Sequence, residues 1–192
     1  VTYVRCHDDI GWAIFDEAAA SMGWDGFSHR NFLNAFYSGE FPGSFARGAV
    51  FQFNPDTGDG RISGSAASLC GIETALEGAD SEALDLACRR LELVYAVAAS
   101  FGGIPLLYMG DELGLRNDAS YLTDPALADD NRWMHRPRMD WKLAARRTKR
   151  RSLEARLFST FRSLLADRAA TPALHGGADV HVLTLPSPAI LA

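Results

Sequence analysis

The stretch Tyr3-Val4-Arg5-Cys6-His7-Asp8-Asp9-Ile10-Gly11-Trp12 decides how the rest of the chain is read. A short apolar-rich run leads into His7, Asp8 and Asp9, and Gly11 then breaks the pattern. In a parallel α/β barrel the strand bodies fill the core, and residues at their C-terminal ends line the active site. The stretch therefore reads as a strand that ends on such a rim. His7 and Asp8 are adjacent, so on a regular strand they would point to opposite sides. For both to face one ligand, the chain must twist or leave the strand at that point. A polar turn at a strand end is the alternative reading, because His-Asp-Asp is not specific by itself.

A second run, Ile104-Pro105-Leu106-Leu107-Tyr108-Met109, is continuously apolar and bounded by glycines. That is the form of a strand buried on both faces, as in a parallel sheet. Between the two runs, helical spacing is sustained once at length. Leu84, Ala87, Leu91, Val94, Tyr95 and Ala98 predict a helix from Ser81, its expected N-cap, to about Phe101. A shorter helix is expected from a Ser28 cap to about Tyr37, a helical turn over Asp16 to Ala20, and a small-residue helix over Ala66 to Thr74. The run from Gly39 to Gly64 has no sustained period. Its Phe41, Phe45, Phe51 and Phe53 are too many aromatics for a disordered linker, so it reads as an ordered excursion with the rings packed underneath. After the second strand, Asp111 and Glu112 read as loop-bracing acids, since adjacent carboxylates rarely flank one bond. A polar loop follows from about Asn117 to Trp141.

The basic segment Arg146-Arg147-Thr148-Lys149-Arg150-Arg151 runs into Leu153, Leu157, Phe158, Phe161, Leu164 and Leu165, and reads as the solvated lead-in to an amphipathic helix. From Pro172 onward, Val180 to Leu185 looks like the first hairpin of a β domain. Strand, helix, strand, helix is the order of parallel α/β folds. Two such units cannot close a barrel, but they could be its last quarter.

The bulk properties narrow the function. The chain has 192 residues, 47% hydrophobic and 22% charged, with net charge −5, which argues against nucleic acid or an anionic membrane as partner. Three scattered cysteines, Cys6, Cys70 and Cys88, suggest neither a metal spacing nor a disulfide framework. No apolar run approaches membrane-spanning length, and no basic segment followed by an apolar stretch marks a signal peptide. Both termini fall in apolar text, so a piece of a longer protein is expected. The cysteine usage favours a reducing compartment, so a cytoplasmic location is expected, with secretion left open.

The opening stretch resembles the seventh-strand motif of the α-amylase superfamily, glycoside hydrolase family 13. Gly103-Ile104-Pro105-Leu106-Leu107-Tyr108-Met109-Gly110-Asp111-Glu112 resembles its eighth-strand motif. Gly43-Ser44-Phe45-Ala46-Arg47-Gly48, the run from Phe53 to Gly64, and Asp129-Asp130-Asn131-Arg132-Trp133-Met134-His135-Arg136-Pro137 resemble the amylosucrases within that family. The resemblance covers nearly the whole chain. It implies an α/β fold: the C-terminal part of a (β/α)8 barrel over residues 1–171, an inserted lobe over about 11–75, and the start of a C-terminal β domain over 172–192. It implies a retaining glucosyltransferase that cleaves sucrose and passes glucose to an α-1,4-glucan, releasing fructose. A sucrose hydrolase is the near alternative. No cofactor and no metal are implied, and the partners are sucrose and the glucan acceptor.

Retaining glycosidases use two carboxyl groups about 5–5.5 Å apart. In this family they come from the fourth and fifth strands, which the sequence does not contain, so the chain alone is expected to be inactive. By the resemblance, Asp8 is the third carboxylate, holding the 2- and 3-hydroxyls of the glucosyl ring, and His7 donates to the sugar. Arg132 closes the pocket through a salt bridge to an upstream aspartate. Asp9 and Arg61 contact the fructosyl or acceptor side, with Gln52 and Arg30 further along the acceptor path. The remaining histidines, His29, His135, His175 and His181, show no metal-ligand spacing. Two other readings remain: a metal-dependent phosphohydrolase with a His-Asp doublet, and an inert fragment with residual carbohydrate binding.

Overall fold

In the computed structural model, which describes residues 1–179 with His181 and Leu183, the two apolar runs meet as a parallel pair. Strand β1 (Thr2–Tyr3) leads through the His7–Asp8 bend to β2 (Ile10–Gly11). Helices α1 (Asp16–Ser21) and α2 (Gly26–Ser38) follow, then β3 (Ala49–Phe51) and β4 (Arg61–Ser63). Next come α3 (Ala66–Leu69), α4 (Ile72–Glu77), the long α5 (Ser81–Ser100) and β5 (Pro105–Leu106). Short 3-10 turns at Asp111–Leu113, Ala119–Thr123 and Asn131–His135 lead to α6 (Trp141–Ala145). A turn at Arg146–Thr148 then leads to α7 (Leu153–Ala169). The expected hairpin from Val180 to Leu185 lies largely outside the described residues.

β1 and β5 pair in parallel, Thr2 with Pro105 and Tyr3 with Leu106, and α5 makes the crossover between them. β2, β4 and β3 form a separate antiparallel sheet in which Ile62 lies between Ile10 and Val50. The second apolar run is a shorter strand than expected and is not buried on both faces. Ile104, Leu106 and Met109 are exposed, because among the described residues β5 has β1 as its strand neighbour and nothing covers the other side.

The helices start one to three residues from where serine capping placed them. Asp25, rather than Ser28, caps α2: its carboxylate accepts from the Ser28 amide at 2.7 Å. Asp80, rather than Ser81, caps α5, accepting from the Glu82 and Ala83 amides at 2.9 Å each. In both cases a carboxylate outcompetes the nearby hydroxyl for the positive end of the helix. The small-residue helix over Ala66 to Thr74 is two helices. Gly71 breaks it at φ +96°, where a Cβ would sit 3.1 Å from the Phe45 ring. At the far end of α5, Arg168 donates to the carbonyls of Ala99, Phe101 and Gly103, the last two at 2.6 Å, and so satisfies the orphan acceptors of the helix terminus.

The core lies between α3, α4, α5 and α7: Ala66, Ala67, Ile72, Ala87, Cys88, Leu91, Tyr95, Leu157 and Phe161. A buried ion pair fastens the parallel strands to it. Arg5 donates through Nε and Nη2 to Asp111 Oδ1 at 3.1 and 2.9 Å, and the Tyr95 hydroxyl donates to Oδ2. Asp111 thus braces the loop after β5, and Glu112 accepts from the Gly110 amide at 2.9 Å. The basic lead-in to α7 is also braced. Arg146 pairs with buried Glu154 at 3.1 Å, and Arg147 donates to the Ala144 carbonyl at 2.8 Å. Among the described residues, no helix is long and apolar enough to cross a membrane.

Candidate active site

The backbone bends at His7 and Asp8, directly after the parallel strand. This bend frees two adjacent side chains from strand alternation, so both face the same open side. The bend is held by its main chain: the His7 carbonyl accepts from Arg136 Nε at 2.6 Å and from His135 Nε2 at 3.1 Å. The Asp8 side chain is 48% exposed and its two oxygens have different surroundings. Oδ1 faces two guanidinium groups, Arg132 Nη1 and Arg136 Nη2, each at 3.4 Å. Oδ2 faces His7 Nε2 at 3.3 Å.

Arg132 has a second partner that sequence spacing did not suggest. Asp130 takes its fork: Nε meets Oδ1 at 2.8 Å and Nη2 meets Oδ2 at 2.9 Å. This bidentate hydrogen bonding lowers the Asp130 pKa and raises that of Arg132. The Arg132 guanidinium also lies 5.5 Å from the Phe51 ring centre. Phe51 is therefore half-buried at the edge of the cluster rather than packed beneath the lobe. Phe41 and Phe53 are exposed while Phe45 is half-buried against Phe36, so the expectation of rings packed underneath holds for only part of the run.

Asp9 points the other way. Gly11 pairs with Arg61 in the β2–β4 ladder, which makes Asp9 the diagonal neighbour of Arg61 on the same face. The two meet at 3.4 Å between Oδ1 and Nη1. Asp9 Oδ2 is buried with no hydrogen-bond partner, whereas the Arg61 side chain is 54% exposed. Arg61 and Gln52 line one open cleft of about 520 Å³ with Trp12 and Asp59. Gln52 leaves β3 at φ +51°, a left-handed conformation that turns the chain toward this cleft. Trp12 is fixed there by donating from Nε1 to the buried Asn34 at 2.8 Å.

Arg30 stands apart from these groups. Its side chain is buried, and its N–H groups are spent on the Ile14 carbonyl at 2.9 Å and on the Thr57 carbonyl at 2.8 and 3.2 Å. Asp16 and Asp59 flank it at 2.8 and 3.1 Å. In this arrangement it braces the lobe. The structure thus brings His7, Asp8 and Arg132 into one cluster; Arg61 and Gln52 line a separate cleft, to which buried Asp9 connects only through its ion pair with Arg61.

His135 and Arg136 are the members that sequence reasoning missed. His135 is buried. Its Nδ1 accepts from the Gly64 amide at 3.1 Å, which leaves Nε2 as the donor to His7. Burial lowers its pKa to about 4, so the ring is neutral at physiological pH. Asn131 holds the same turn against the lobe sheet, accepting from Ser63 Oγ at 2.8 Å and donating to the Val50 carbonyl at 2.9 Å. No family model matches the chain.

Proposed function

We propose that this chain supplies the sugar-holding part of a retaining glucosyltransferase, built on a (β/α)8 barrel, that cleaves sucrose and passes glucose to an α-1,4-glucan with release of fructose. The observation that carries the reading is the environment of Asp8: an exposed carboxylate at a strand-end bend, with His7 on one oxygen and two guanidinium groups on the other. A carboxylate so held accepts from two neighbouring hydroxyls of a pyranose ring. An imidazole and a guanidinium alongside it donate to the same hydroxyls. Contacts to the 2-hydroxyl that strengthen toward the oxocarbenium-like transition state contribute several kcal/mol in such enzymes. The fixed negative charge of Asp8 also lies near the positive charge that develops there. Arg61 and Gln52 line an open cleft and, on this reading, meet the fructosyl or acceptor side.

The barrel reading draws support from the parallel pair. β1 and β5 are joined by a helical crossover, and Tyr3, Ile104, Leu106 and Met109 on and beside them are exposed apolar residues of the kind further strands cover. The nucleophile and the acid/base then come from strands outside this chain.

The test is a sucrose incubation with the complete barrel and, separately, with the 192-residue chain. Free fructose and glucose are both quantified. Fructose in excess of glucose from the complete protein, and none from the chain alone, is the expected result. Equal amounts indicate hydrolysis rather than transfer. No sucrose consumption by the complete protein overturns the proposal.

A further inference from the structure

We infer that Cys6, His7 and Asp8 form a binding site for one borderline-soft divalent cation of the zinc class. Cys6 Sγ, a His7 ring nitrogen and an Asp8 carboxylate oxygen all lie within 4.8 Å of one another. The His7–Asp8 separation of 3.3 Å is already that of two ligands on one tetrahedral ion, whose edge is about 3.3 Å for metal–ligand bonds of about 2.0–2.1 Å. Cys6 Sγ, within 4.8 Å of both other ligand atoms, must turn toward them to complete the set, and the fourth position of a tetrahedral ion would face the solvent beside the exposed His7 side chain.

The donor set selects the metal. One thiolate, one imidazole and one carboxylate suit zinc, whereas magnesium and calcium take oxygen ligands. The charges also balance. A divalent ion with a thiolate and a carboxylate is net neutral, so the nearby Arg132 and Arg136 are not set against a cation. Those arginines hold Oδ1, and the oxygen that faces His7 is Oδ2. The bend is organised before any ion arrives: the Asp8 amide points at Cys6 Sγ from 3.5 Å, and the His7 carbonyl is pinned by Arg136 and His135. The other two thiols are poor competitors. Burial pushes the Cys70 thiol up to about 12 and raises Cys88. An ion in this site takes both His7 and Asp8, so it excludes whatever ligand those side chains otherwise hold.

Cobalt(II) is the probe, because a thiolate ligand gives a near-ultraviolet charge-transfer band and tetrahedral coordination gives intense visible bands. Titration of the reduced 192-residue chain is expected to saturate at one equivalent, with zinc displacing cobalt. Cys6→Ser is expected to abolish the charge-transfer band, and His7→Ala to weaken zinc binding about tenfold or more. The inference is overturned if saturating cobalt gives no charge-transfer band, if the band persists in Cys6→Ser, or if His7→Ala binds zinc as tightly as the parent. This site shares two residues with the proposed sugar site but none of its chemistry. Sucrose turnover is not a readout, so failure of either proposal leaves the other standing.

Discussion

Lowering the pH should unfold this protein partly through one histidine. His135 sits between the Gly64 amide, which donates to its Nδ1, and the His7 carbonyl, which accepts from its Nε2. A second proton would have to go on Nδ1, opposite an N–H that already points at it, inside a buried site. Burial is the main cause that lowers the pKa, from 6.5 to about 4. The unfolded chain therefore binds this proton at a higher pH than the folded one. Stability is fully present above pH 6.5 and is lost as the pH falls toward 4. Each pH unit in that window is worth about 1.4 kcal/mol. The whole window amounts to about 3 kcal/mol, and the step from pH 7.5 to 5.0 to about 2 kcal/mol. With an m-value of about 2 kcal/mol per molar urea, that step moves the unfolding midpoint down by about 1 M. His135→Gln keeps a donor and an acceptor without titrating. It should be less stable at pH 7.5, yet lose less on going to pH 5.0. If wild type and His135→Gln fall by the same amount, the buried neutral imidazole is not the cause and the reasoning fails.

Three further outcomes are expected. If the chain belongs to the proposed glucosyltransferase, Asp8→Asn in that enzyme should lower turnover by about 10²–10³-fold or more with KM little changed. Its exposed ion pairs make the stability change about 1 kcal/mol or less, and turnover near wild type would remove Asp8 from the chemistry. Arg5→Ala strands the buried Asp111 carboxylate and should cost about 3–5 kcal/mol by urea unfolding, against about 1–2 kcal/mol for Tyr95→Phe, which loses a single donor. Gly110→Ala places a Cβ against the Leu115 side chain at φ +92° and should cost about 2 kcal/mol or more, read as a lowered thermal midpoint.

The two apolar runs, the long helix between them and the break at His7–Asp8 are legible because each rests on local pattern. A continuous apolar run, helical spacing and a breaking glycine are properties of neighbours in sequence, whereas the pairing of β1 with β5 is not. The bracing of Arg30 is not legible in the sequence, because the carbonyls of Ile14 and Thr57 that take its N–H groups leave no side-chain signature and the flanking Asp16 and Asp59 lie far from it along the chain. Asp111 was read as a bracing acid, but its partner Arg5 was passed over, although a charge in the middle of an apolar run is the mark of a buried pair. Composition alone makes the phenylalanines of the lobe look like core, yet Phe41 and Phe53 are exposed. Period was lacking there, and nothing else in the sequence separates a ring that faces solvent from one that does not. His135 was invisible for the same reason as Arg30, since Gly64 and His7 engage it through backbone atoms.

Arg136 resolves what holds Asp8 in place. Arg132 turns Nε and Nη2 to Asp130, which leaves Nη1 for Asp8. Arg136 instead touches two consecutive residues at once, the His7 carbonyl through Nε and the Asp8 carboxylate through Nη2. A planar guanidinium that spans both sides of one peptide fixes the main-chain direction and the side-chain direction together. A lysine ammonium can reach two acceptors but, lacking the rigid planar fork, does not fix their relative direction. The bend that lets adjacent residues share a face is therefore imposed by a turn more than a hundred residues away in sequence. The orientation of Asp8 depends on that turn staying docked against the lobe sheet through Asn131 and His135.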